Sequence, residues 1–158
     1  FWSYNCKRPT TVNVPEQEYL IPIGKSNVVH EGNDVTLVSF GKMMKVAEET
    51  FNVAKKENIS VEVIDLRSVR PIDYDSIVKS VKKTNRLVII EEAWPLASIS
   101  SEISHHIQRF AFDYLDAPVH RITCEDVPFH YAPTLIKEIL PSVEKAMKAI
   151  KSVTYKKN

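Results

Sequence analysis

A chain of 158 residues, 44% apolar and 26% charged, is long enough to bury the core of one domain and has a globular composition. Its net charge of +1, with both signs interspersed, leaves no electrostatic footprint for nucleic acid or an acidic membrane. No apolar run approaches the ~20 residues that span a bilayer, and the N-terminus lacks the apolar core of a signal peptide.

Residues 1–14 show no sustained period and read as an irregular arm. Residues 15–33 contain Pro15, Pro22, Gly24 and Gly32, the punctuation of a linker, whose apolar piece Tyr19–Ile23 is expected to pack on the domain surface. The folded domain is expected over 34–155, followed by a basic tail, 156–158. Asp34–Phe40 is short, β-branched and bounded by Gly32 and Gly41, which predicts a buried first strand. Met43, Val46, Ala47, Thr50, Phe51 and Ala54 then share one face of a 3.6-residue period, a helix that Asn58 ends. Ser60–Asp65 is the second strand, and Asp73 is a good N-cap for a helix over 74–83. Arg86–Glu91 is the third strand. The next helix begins within 97–101, where three serines offer caps, and lays Ile99, Ile103, Ile107 and Phe110 on one stripe. Ala117–Thr123 is the fourth strand. Pro133 suits the first turn of a helix, and Pro141 starts another with Val143, Ala146, Met147 and Ile150 inward. Strands alternating with helices in this way predict an α/β fold of three layers, a mostly parallel sheet with helices on both faces.

Several residues carry chemistry. Cys6 and Cys124 form no framework and read as free thiols in a reducing compartment. The three glycines, Gly24, Gly32 and Gly41, do not cluster, so no loop offers the bare N–H groups of a phosphate cradle. Glu91 and Glu92 end a parallel strand, where α/β folds place ligands. They either share acid–base work, or one caps a helix or pairs with a cation while the other is solvated. His105 and His106 are about 100° apart on a helix and chelate one metal poorly. Cys124, Glu125, Asp126 and His130 form a looser group of possible ligands without regular spacing. Trp94-Pro95, following a strand, reads as a core plug or an interface anchor.

A series of short motifs then occurs in one order: Ile21-Pro-Ile-Gly24-Lys25, Val38-Ser39, Asp65-Leu-Arg67-Ser-Val-Arg70-Pro71-Ile-Asp73, Ser80–Val88, and Glu92-Ala-Trp94-Pro95. Glu102-Ile103, Phe112–Pro118, Asp126-Val127-Pro128 and Tyr131-Ala132 complete it. Together they resemble the transketolase C-terminal domain in its 2-oxo acid dehydrogenase version, over roughly 14–155. Arg70-Pro71, Trp94-Pro95 and Tyr131-Ala132 look like the pyruvate dehydrogenase E1 beta branch. Ser101–Ser104 and Pro128-Phe129 look more like the branched-chain 2-oxo acid one. The sequence departs from the family where glycines are usual, at Ala93, Ser98 and Ser100, and where His130 replaces a proline.

The resemblance implies thiamine diphosphate-dependent decarboxylation of pyruvate and acetyl transfer to the lipoyl arm of an E2 acyltransferase. In the family the catalytic glutamate and histidine lie in the preceding domain, and an alpha subunit holds the diphosphate and its magnesium. No residue here matches those, so no catalytic, cofactor-binding or metal residue is carried over, and the chain alone is expected to be inactive. The resemblance assigns it assembly: a contact between beta subunits, with Trp94 and Pro95 as candidates, in an alpha2-beta2 heterotetramer. It also implies docking of the basic E2 subunit-binding domain at Asp116, which otherwise reads as a turn residue before a proline-bearing strand. Residence would be the mitochondrial matrix, or the cytoplasm of a bacterium. The competing readings are a self-contained catalyst using Glu91, Glu92 and the histidines, and the branched-chain homologue.

Overall fold

Two fully buried stretches set the centre of the fold. In the computed structural model, which describes residues 16–155, Val35–Ser39 and Leu87–Ile90 are adjacent strands with every residue buried. Such runs belong to parallel strands covered on both faces. In chain order the elements are β1 (Asn27–His30), β2 (Val35–Ser39), α1 (Met44–Lys56), β3 (Val61–Asp65), α2 (Tyr74–Thr84) and β4 (Leu87–Ile90). They continue with α3 (Ile99–Phe110), β5 (His120–Ile122), α4 (Pro133–Ile139) and α5 (Val143–Thr154). Short 3-10 turns at Gly41–Met43 and Phe112–Tyr114 join them. The sheet order is β1-β3-β2-β4-β5, parallel except for β1, which runs antiparallel to β3.

Successive strand residues face opposite sides, and the core divides accordingly. Leu37, Val61, Val63, Val88 and Ile90 pack against Ala47 and Ala54 of α1 and Ala146 and Ile150 of α5. Val38, Ile64, Leu87 and Ile89 pack against Ile77 and Val81 of α2 and Ile103 and Ile107 of α3. This is the three-layer arrangement expected. The caps are side-chain oxygens: Asp73, Ser98 and Ser142 accept from the amides of Ser76, Ser101 and Lys145. The buried Thr36 hydroxyl lies 2.6 Å from both the Ser80 and Thr84 hydroxyls, fixing α2 to β2.

The structure differs locally from these expectations. Residues 27–30, inside the expected linker, form an edge strand. Lys83 of α2 reaches both Glu62 of β3 and Glu31 just after β1. Gly32 lies so close to β3 that a Cβ would sit 2.2 Å from the Val61 carbonyl carbon. Tyr19, Leu20, Ile21 and Ile23 are exposed rather than packed on the surface. The α3 stripe continues from Ile107 to buried Ala111, not to Phe110, which is 54% exposed. β5 is shorter than expected because Pro118 has no N–H for the ladder, and Pro141 precedes α5, whose N-cap is Ser142. The arm at 1–14, Cys6 and the tail 156–158 lie outside the described residues.

Candidate functional site

The chain leaves β2 toward β3 on one side and returns to β4 on the other. The carboxyl ends of β2 and β4 therefore flank the switch point where such folds hold ligands. Glu91 and Glu92 stand there and face different surroundings. Glu91 is fully buried, and its Oε1 accepts the Ser100 amide at 3.1 Å and the Ser100 hydroxyl, placing negative charge at the first turn of α3. Its Oε2 has no hydrogen-bond partner among the described residues. Glu92 is exposed, with one oxygen 3.8 Å from Lys42 Nζ. The pair is thus a helix cap and a surface ion pair. Ser100 occupies one of the sites where the resemblance expects glycine, and its hydroxyl is what binds Glu91.

The other candidates are dispersed. His105 is exposed, while His106 stacks on Tyr74 with ring centres 3.8 Å apart, and the Tyr74 hydroxyl donates to Glu102 at 3.1 Å. Burial lowers the His106 pKa from its ordinary 6.5. Cys124 is buried, and that burial, reinforced by Glu92, raises its thiol pKa. Glu125 pairs with Lys145 at 2.8 Å, and Asp126 and His130 point to solvent. Among the described residues no three His, Cys, Asp or Glu side chains converge as metal ligands. A Cβ at Gly24 would meet Pro71 and one at Gly32 would meet β3, so neither lines a phosphate cradle. Gly41, just after β2, has a φ of +59° and open space where a Cβ would be, but it stands alone rather than in a glycine-rich loop.

What the fold does present is surface. Trp94 is 53% exposed, and its indole N–H donates to the Val127 carbonyl at 3.2 Å. This joins the β4–α3 and β5–α4 connections into one apolar face with Leu96 (85% exposed), Phe129, Leu135 and fully exposed Tyr131. Monomeric proteins rarely leave so many large apolar side chains together in solvent. Pro95 is half-buried beneath this face, its carbonyl accepting from Arg121 at 3.0 Å and the Ser101 hydroxyl at 3.2 Å. Leu96 and Leu135 were not singled out from sequence, although the apolar residues crowded around Leu135 between Pro128 and Pro141 are a readable signal.

Asp116 lies at the opposite end of β5, in a junction of four segments. Its amide donates to the Asn85 carbonyl at 2.9 Å and its carbonyl accepts the Tyr155 hydroxyl at 2.9 Å. Its carboxylate, 54% exposed, lies 3.1 Å from Arg86 Nη2. Arg86 is itself fixed, donating Nε to Val153 at 2.9 Å and Nη1 to the Asp34 carbonyl at 3.3 Å. Sequence reasoning placed Arg86 only in a strand and missed this role, because its partners are 30–67 residues away.

The transketolase C-terminal domain family matches residues 24–146. The pyruvate dehydrogenase E1 component subunit beta of Rickettsia felis is 45% identical over 143 residues, 90% of this chain. The mitochondrial subunit of the same name from Dictyostelium discoideum is 44% identical over 153 residues, 97% of this chain. The chain spans only 44% and 43% of those two relatives. Among solved structures, a split gene transketolase described as an inactive beta4 tetramer superimposes with a TM-score of 0.79 at 24% identity, covering 94% of this chain and 48% of that one. With the family match covering most of the described sheet and helices, the chain belongs to the transketolase C-terminal domain family.

Proposed function

We propose that this chain is the C-terminal assembly domain of a pyruvate dehydrogenase E1 beta subunit. In this reading it contributes no catalytic group. It joins beta subunits to one another, takes its place beside an E1 alpha partner in an alpha2-beta2 heterotetramer, and docks the E2 subunit-binding domain. The complete E1, with thiamine diphosphate and magnesium, decarboxylates pyruvate and passes the acetyl group to lipoyl E2. The relatives carry the pyruvate name, which favours this branch over the branched-chain one. They are bacterial and mitochondrial, so the reading places the chain in a bacterial cytoplasm or a mitochondrial matrix.

The observation that carries the assembly reading is the exposed face around Trp94, Leu96 and Tyr131 on a domain whose core is otherwise closed. Trp94 and Pro95 are its anchor and floor. Asp116 supports the docking reading as a half-exposed carboxylate held in one orientation, suited to a cation on a basic partner. The test is calorimetry of the purified chain against an E2 subunit-binding domain, at low and moderate salt, with Asp116→Ala alongside. Salt-sensitive binding that the substitution weakens about tenfold supports docking at Asp116. Equal binding by wild type and variant removes Asp116 from the contact.

A further inference from the structure

We infer that the open edge of β5 is a binding site for an extended acidic peptide, which adds to the sheet as a sixth strand. β5 is the last strand in the sheet order and pairs only with β4. The Ile122 carbonyl accepts the Glu91 amide and the Cys124 amide donates to Ala93, so the even-numbered residues turn their backbone groups toward β4. By the alternation of a strand, Arg121 and Thr123 turn theirs outward. Among the described residues neither has a backbone partner there. Two N–H and two C=O groups thus stand in the row that strand addition uses.

The edge is recessed rather than flat. A groove of about 600 Å³ runs along 120–126, walled on one side by α5. A second hollow of about 320 Å³ lies on the α3 side of Arg121. Successive side chains of an added strand enter these two hollows alternately. Each has a cation in its lining, the first with Glu125 and Asp126 at its far end. On the α5 wall Lys145 pairs with Glu125 and Lys151 with Glu57, but Lys148 has no ion pair among the described residues. On the α3 side Arg121 uses Nη1 for the Pro95 carbonyl and the Ser101 hydroxyl, with His105 beside it. Two consecutive acidic residues in a bound strand therefore meet Lys148 and Arg121 in turn. A second copy of the chain is the poorer occupant, because it brings its own α5 and the same cations to the edge. This site does not depend on the proposed E1 role, and it lies away from Asp116.

The probe is the synthetic peptide Ac-Val-Thr-Glu-Glu-Val-Thr-NH2, titrated into the ¹⁵N-labelled full chain. The expected result is movement of the Arg121 and Thr123 amide signals together with slowed exchange of both. Thr123→Pro removes an outward N–H that no described group uses. It should weaken binding at least ~tenfold without lowering the melting temperature. A probe with lysines in place of both glutamates should lose a similar factor. N-methylation of the probe at alternate residues repeats the backbone test with the protein unaltered. No shift at millimolar peptide overturns the proposal, as does equal binding by the N-methylated probe. Concentration-dependent dimerisation that Thr123→Pro abolishes would assign the edge to a second copy instead, and so overturn the peptide.

Discussion

The indole of Trp94 is bonded to the Val127 carbonyl at 3.2 Å, so two connections 33 residues apart move as one surface. The bond satisfies the ring nitrogen while the ring itself stays in solvent. An aromatic held in this way loses little freedom on association, which is what distinguishes an anchor from a mobile side chain.

Trp94→Ala and Tyr131→Ser should each raise the dissociation constant for self-association of the chain, or for its assembly with alpha subunits, about tenfold or more. Tyr131→Ser should leave the melting temperature unchanged, because the ring is fully exposed and packs on nothing. Sedimentation velocity over a concentration series checks both.

Lys83 is the only described cation on Glu62, a carboxylate with 4% of its side chain exposed. Lys83→Met should destabilise the fold by about 2 kcal/mol, below the range for a wholly buried pair because the ammonium is 39% exposed. The Glu62 and Glu31 carboxylates raise the Lys83 pKa above its ordinary 10.5. Its contribution is therefore present in full below that pH and is lost as pH rises through the higher folded value. Urea unfolding of wild type and variant should differ by a constant amount from pH 7 to 9 and converge in stronger alkali.

Asp73 holds the start of α2 and the segment before β1 together, through Ser76 and the Ser26 amide at 3.0 Å. Asp73→Ala should cost about 2 kcal/mol, more than a cap alone because the Ser26 bond goes too. Burial works to raise this carboxyl, but the Ser26 and Ser76 bonds outweigh it and hold the pKa below its ordinary 3.8. The contribution is complete above that pH and fades as pH falls through the lower folded value. Acid unfolding curves of the two proteins should converge only in strong acid.

His106 makes the opposite kind of pH dependence. Burial against Tyr74 disfavours its charged form, so protons bind the unfolded chain more readily. Stability is complete above pH 6.5 and declines as pH falls from there through the lower folded value. His106→Phe should keep the stack and remove that decline. Melting temperatures of wild type minus variant, read from pH 7.5 to 5, check the sign.

The sheet and its layers were legible because β2, β3 and β4 are short stretches rich in β-branched residues and because Asp73 and the α3 serines offer caps. β1 was not, since Asn27–His30 has only two apolar residues and is held through its flanking Glu31, whose partner Lys83 is 52 positions away, and Gly32, which lies against Val61 of β3. Asp116 could be singled out only by resemblance; that it is clamped by Arg86 depends on contacts no local pattern encodes. The different surroundings of Glu91 and Glu92 were one of two readings open from sequence, and Ser100 as the partner of Glu91 was not legible, because it lies nine residues further on.

The bulge in β1, where the pairing with β3 shifts between Val28 and His30, has a consequence for the sheet's far edge. A bulged edge is a poor template for another strand. Whatever joins the sheet at β5 finds no matching seat at β1, so growth stops after one addition. Head-to-tail filaments, which need both edges to be receptive, are closed off.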